Sequence, residues 1–381
     1  MSHAPSLVRK ADGNIGYGED RFAVLSGREI VDEVTVLDRA GLLAALAPVA
    51  RTGVLQVRLG AEIDLAGQDI YCRAVGTGGV LLEGGRLRNG RVQFMEALGY
   101  VGARGVAFGP GGGVSCEREG EHFYQACTFR DSHIALSEGH GSPDPSGRRV
   151  AVLGCRFDGA EVNSAFLGGE EVVVWESHFL PTRGDSHNLR IWGGGVALVG
   201  NSKIEPGGRT RHSLKGHSQF GVTKRFVLSG CSFQGGTWNV AIGPQDLWKA
   251  EIIESVTIVG CIFLPDARAT GDSDIALRVT TTKGGRISGN VFQSGPHDAV
   301  GLMSAAMPMV PPPAGVELRS EANQFLVAAD RPYRMGCQWV ETGAMPLVSD
   351  RNRKWAAADV GGPVRGLGVK DSGTDVDSPW V

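Results

Sequence analysis

The chain has 381 residues, 57 of them glycine, with 42% hydrophobic residues and a formal net charge of −3. Glycine at that level, with no Gly-X-Y period and ample apolar residues, excludes collagen and disorder and indicates an all-β chain with many tight turns. The charge gives no global attraction to nucleic acid, and no apolar run of 18 residues suggests a membrane-spanning helix or a membrane partner.

Residues 1–36 read as a polar, irregular N-terminal arm packed on the body. Residues 1–6 lack the apolar segment of a signal peptide. Asp38 is a candidate N-cap for a short helix over residues 40–50, where Leu42, Leu43, Leu46 and Val49 recur at helical spacing. Such a helix suits the open end of a solenoid, which needs a cap. A first strand is predicted at residues 54–59.

A phrase then recurs down the chain: a β-rich run, a small residue, Cys or Asn, one spacer, then Phe. It reads Ala126-Cys127-Thr128-Phe129, Gly154-Cys155-Arg156-Phe157, Gly230-Cys231-Ser232-Phe233, Gly260-Cys261-Ile262-Phe263, Gly289-Asn290-Val291-Phe292 and Ala322-Asn323-Gln324-Phe325. Weaker copies are Ser177-His178-Phe179, Asn201-Ser202-Lys203-Ile204 and Asn352-Arg353-Lys354-Trp355. The copies lie 22 to 33 residues apart, a period that marks a solenoid, propeller or array. A second strand follows each Phe, at 133–136, 188–191, 213–215, 239–242, 274–277 and 299–302. Several short strands per period fit one coil of a parallel β-helix. The leucine-rich consensus is missing, and a propeller blade would be longer and antiparallel. The expected organisation is an arm (1–36), a β-helix domain (37–355) and a Gly/Asp/Ser-rich tail (356–381). Of seven cysteines, Cys127, Cys155, Cys231 and Cys261 share one repeat position, so an inward column of free thiols is expected. No metal-ligand spacing is present.

Coil period, capping helix and the Gly-Asn/Cys-x-Phe turn resemble the right-handed parallel β-helix proteins of the pectin lyase-like class, over roughly residues 36–355. The resemblance implies an all-β, single-stranded right-handed parallel β-helix with an N-terminal capping helix. The class spans polysaccharide lyases, glycoside hydrolases, epimerases, esterases and phage tailspikes, so fold alone does not choose a chemistry.

Aligning the second strands on Leu189, Leu214, Val240 and Ile275 as inward residues gives three outward columns. These are Asn188/Ser213/Asn239/Asp274, Arg190/Lys215/Ala241/Ala276 and Trp192/His217/Gly243/Arg278. Arg190 and Lys215 are predicted side by side, with Trp192 and His217 beside them and His187 and His212 opening the same strands. Between Arg183 and Arg225 the net charge is +6, leaving −9 for the rest of the chain, a basic focus suited to an anionic ligand. Two like charges on adjacent strands favour a neutral Lys215. Arg209, Arg211, Lys224 and Arg225 read as solvated loop residues. Arg190, Lys215 and His217 read either as a site or as part of an exposed sheet face, His187 and His212 either as site or as turn residues.

The leading expectation is a secreted or periplasmic, monomeric polysaccharide lyase acting without a cofactor on a uronic-acid polymer. β-Elimination needs a cation on the C6 carboxylate, a base for the C5 proton and an acid for the leaving O4. Arg190 would neutralise the carboxylate, Lys215 would be the base, and His217, or His212 in its place, would be the acid. Asn188, Trp192 (as an exposed stacking platform), His187, Asn239, Asp274 and Arg278 would bind the acidic polysaccharide. Pro296-His297-Asp298 faintly resembles an element of alginate C5-epimerases, although Gly295 stands where an Asp precedes it there; a turn is the plainer reading. A glycoside hydrolase would use Asp274 with Asp246 or Asp298, and Asp272 and Glu170 lie in nearby turns. A tailspike-like carbohydrate-binding β-helix is the third alternative, against which stands the lack of a dedicated trimerisation segment.

Overall fold

A computed structural model describes residues 7–9, 15–17, 20–25, 28–47, 52–72, 78–94, 99–116, 120–136, 148–207, 211–217, 222–235, 238–243, 252–265, 274–295, 298–306, 311–328, 333, 336–356, 364, 368–371 and 375–378. Val49 of the helix pattern, Arg209, Asp246, Asp272, Pro296, His297 and most of the tail lie outside them. The fold is an all-β, right-handed parallel β-helix, and it divides into two compact units, within Pro5–Arg183 and Gly184–Val381.

In the first unit the arm contributes an antiparallel sheet of Val8–Arg9, Ile15–Tyr17 and Asp20–Phe22. It packs on the body: the Val24 N–H donates to Glu171, and Tyr17 meets Trp175. Ile30–Val36, counted with the arm in the sequence reading, pairs in parallel with Val54–Leu59. The predicted helix spans Arg39–Ala45; Asp38 caps it by accepting from the Gly41 N–H at 2.7 Å, and Leu42 is buried. Three ladders of parallel strands follow. In the ladder that follows the repeat phrase, Ile63, Leu87, Phe108, Phe129, Phe157 and Phe179 share one register. The last four rings stack 4.5 to 4.8 Å apart with nearly parallel planes, the strand spacing expressed in side chains.

The second unit repeats the plan. Ile204, Phe233, Phe263, Phe292 and Phe325 continue one column, and Lys354 takes the next position. The residue before each Cys, Ser or Asn turns left-handed, with φ +63° at Gly230 and +51° at Ala322, which explains why the phrase favours glycine or another small residue there. The next residue then binds across the coils. The Cys261 N–H donates to Asn290 Oδ1 at 2.8 Å, the Asn290 N–H to Asn323 Oδ1 at 2.9 Å, and the Asn323 N–H to Asn352 Oδ1 at 2.8 Å. Cys72, Cys127, Cys155, Cys231, Cys261 and Cys337 are buried free thiols. Burial pushes the Cys155 and Cys261 thiols well above their usual range, which makes them inert packing groups.

Candidate anion-binding and active site

The site residues lie on one ladder of the Gly184–Val381 unit: Leu189–Gly200, Leu214–His217, Trp238–Ile242, Asp274–Val279, Asp298–Ser304 and Gln338–Val340. Leu189 pairs with Leu214, Leu214 with Val240, and Arg190 with Lys215. Gly216 lets this strand sit close to its neighbour: a Cβ there would stand 2.4 Å from the Phe226 ring.

The fourth strand departs from the predicted alignment by two residues. Val240 pairs with Leu277, not Ile275, and Ala241 pairs with Arg278. Arg278 therefore leaves the Trp192/His217 column and joins the Arg190/Lys215 column, which reads Arg190, Lys215, Ala241, Arg278, then Met303 and Trp339. Arg190, Lys215 and Arg278 are each half-buried. Strand spacing puts neighbouring members of the column about 4.8 Å apart at the backbone. Small Ala241 sits between Lys215 and Arg278, so three of the first four positions of the column carry cations. Desolvation lowers the Arg278 pKa, and Glu341 opposes that shift. Sequence alignment missed this position of Arg278.

Behind the column lie three histidines. His217 is fully buried and its Nε2 accepts from Arg190 Nε at 3.0 Å. His187 and His212 are buried, with rings 4.7 Å apart; His187 Nδ1 accepts from the His212 backbone N–H at 3.1 Å and lies 3.1 Å from His212 Nδ1. Desolvation lowers the His187 pKa to about 3, with Lys215, Arg190 and Arg211 adding to it. The same burial, reinforced by neighbouring positive groups, drives His212 and His217 well below their ordinary value. All three are neutral at ordinary pH. His217 Nε2, which accepts from Arg190, carries no proton for a leaving group, and His212 is held against His187.

Three further expectations change. Trp192 is 3% exposed, not an exposed platform. Its ring meets His217 edge-on at 5.3 Å, and the Arg190 guanidinium carbon lies 5.2 Å from its centroid. Asn188 is fully buried and its amide donates to the Glu205 carbonyl at 2.9 Å. Asn239 accepts from Ser213 Oγ and donates to the Phe233 and Leu264 carbonyls. These amides hold coils together, as buried amides must when their hydrogen bonds go to backbone, rather than facing a ligand. His187 likewise makes turn hydrogen bonds. Asp274 shares a register position with Asp298 on the next strand.

The basic focus is partly neutralised. Arg183 pairs with Asp131, Lys203 with Glu205 at 2.6 Å and Arg211 with Asp185 at 3.7 Å. Lys224 and Arg225 lie in the strand Val222–Ser229, not in a loop, on a different ladder from Arg190 and Lys215. Glu170 belongs to the first unit.

No known protein-family profile matches the chain, and no curated protein matches it. Among solved structures nine chains match. One is a double mutant of the tailspike protein of E. coli bacteriophage HK620, at 9% identity and a TM-score of 0.27, covering 87% of this chain and 58% of that chain. The chain thus spans 58% of that tailspike's length. A likeness at this level bears on neither substrate nor mechanism.

Proposed function

We propose that this protein is a pectin lyase-like β-helix enzyme that binds an acidic polysaccharide along the Arg190–Lys215–Arg278 column and cleaves it by β-elimination. The observation that supports the reading is the strand register, which puts three cations in one column. Arg190 and Arg278 would each hold a uronate carboxylate, and the one on the reacting sugar stabilises the charge that grows as C5 loses its proton. Lys215, the register partner of Arg190, is the base. It takes the C5 proton, the C4–O4 bond breaks with its electron pair leaving on O4, and a C4–C5 double bond forms. With His217 engaged by Arg190 and His212 by His187, the proton for O4 returns from the Lys215 ammonium, one residue serving both transfers on one face of the sugar. Incubation with a panel of polyuronates tests this: elimination makes an ultraviolet-absorbing unsaturated uronate, hydrolysis makes reducing ends without it, and a binding module makes neither.

One observation favours a second reading. Asp274 and Asp298 are register partners on adjacent strands, the arrangement from which a hydrolase's carboxylate pair is built. Reducing ends without ultraviolet absorbance would select it.

A further inference from the structure

Arg190 is held on two sides. Its Nε donates to His217 Nε2 at 3.0 Å, and its guanidinium carbon lies 5.2 Å from the Trp192 ring centroid. Trp192 and His217 brace each other edge-to-face, their planes 83° apart. A ring nitrogen that accepts carries a lone pair, so the proton of the neutral imidazole sits on Nδ1. That Nδ1 is buried and has no hydrogen-bond partner among the described residues. A buried N–H without a partner is an exception that calls for a reason. A leucine would fill similar space without the orphaned donor; what it would not supply is an acceptor aimed at Arg190.

We infer that His217 is a positioning residue: with Trp192 it fixes the Arg190 guanidinium in one orientation, so that the groove meets a uronate carboxylate with a pre-set donor. This deepens the reading above and rests on Arg190 as a carboxylate clamp. Its gain is pre-organisation, since a donor already in place needs no rearrangement when charge develops. The charge environment keeps the acceptor neutral. Burial first, then Arg190 across the strand, Lys215 on its own strand, and His187 and His212 beside it all oppose protonation of His217. Protonation would turn the acceptor into a second donor facing a cation.

The experiment has two arms on the full chain. In the first, the 15N-labelled native protein is examined for scalar coupling across the Arg190 Nε–H···His217 Nε2 bond, with Arg190→Lys assigning the signal. A coupling, with His217 in its Nδ1–H form, is the expected result; its absence, or an Nε2–H tautomer, overturns the inference. In the second, affinity for polygalacturonate is measured for His217→Gln, which keeps an acceptor, and His217→Leu, which does not. The expected loss is about 10- to 100-fold for His217→Leu, the worth of a hydrogen bond to a charged group, with most of it restored in His217→Gln. Equal affinity in native protein and His217→Leu overturns the inference. If His217→Leu does not fold, the coupling decides. If the native protein binds no polyuronate while the coupling is present, the functional reading falls and the fixed guanidinium stands.

Discussion

Lys215→Met separates chemistry from stability. Methionine keeps the half-buried aliphatic stem and removes the amine. Arg190 is the register partner of Lys215, one strand step, about 4.8 Å, away. Two unit charges at that distance repel by about 0.9 kcal/mol in water and about 3.5 kcal/mol at an effective dielectric of 20. Both groups are half-buried and screened by solvent, which puts the relief near the low end, about 1 kcal/mol. Arg278 is two strand steps further along, about 10 Å, where salt screens most of its effect. The salt-dependent part of the variant's stability change should therefore favour the variant, and it should shrink as salt is added. Turnover should move the other way: loss of a general base costs about 10²–10⁴-fold, or about 3–5 kcal/mol of transition-state stabilisation. The assay pairs urea titrations at low and high salt with the initial rate of ultraviolet absorbance on saturating polyuronate. Turnover within a few-fold of native would refute Lys215 as the base. A stability change that does not vary with salt would refute the repulsive column.

Arg278→Ala should weaken polyuronate binding by about 10- to 100-fold at low salt, the worth of a charged hydrogen bond, and flatten its salt dependence in a titration. Asp274→Asn should leave elimination nearly unchanged; abolition of activity by this change, with Lys215→Met active, would favour the hydrolase. Asn323→Ala should lower the urea midpoint, because the Asn290 N–H and the Ile287 carbonyl lose their side-chain partner, at about 1–3 kcal/mol for each stranded group. For pH, the folded His187 pKa is about 3 against an ordinary 6.5, so the unfolded chain binds the extra proton between those values. Stability should fall as pH drops through that window, and His187→Asn should make the slope shallower by about one proton in urea titrations across pH 4–6.

Much of the scaffold was legible because each part of the repeat phrase has a local cause. The small residue marks a left-handed turn, the Cys or Asn binds across the coils, and the Phe stacks at the strand spacing, so identity at those positions follows from geometry. The site ladder carries no such marker. A slip of one residue would have put Leu277 on the wrong face, and the period-2 pattern excludes it. A slip of two does not change faces, and Ile275 and Leu277 are equally apolar. The turn cluster Gly271-Asp272-Ser273 precedes that strand but does not repeat from coil to coil, so it gives no count of the register. The alignment therefore placed Arg278 beside His217, while the observed partner of Arg278 is Ala241. Burial was illegible for a different reason. Alternation says which side of a sheet a residue leaves from, not how far neighbouring groups cover it, and so Trp192 and His217 read as exposed.

Two features of this ladder bear on its use, although like charges also adjoin elsewhere, at Glu321 and Asp350. On the ladder of the Phe columns, ring meets ring and amide meets amide over most of its length, with Lys354 the exception. Where Arg190 adjoins Lys215, like charges occupy directly neighbouring positions, which sheets avoid because the pair destabilises. Beside them a fully buried imidazole keeps an N–H without a partner among the described residues. Each feature costs stability, and neither is needed to close a coil, since Ala241 fills the same column with no charge at all. Departures from local consistency gather where a sequence answers to something other than folding. On the reading proposed above, positive charge oriented by a neutral acceptor answers to a carboxylated polymer.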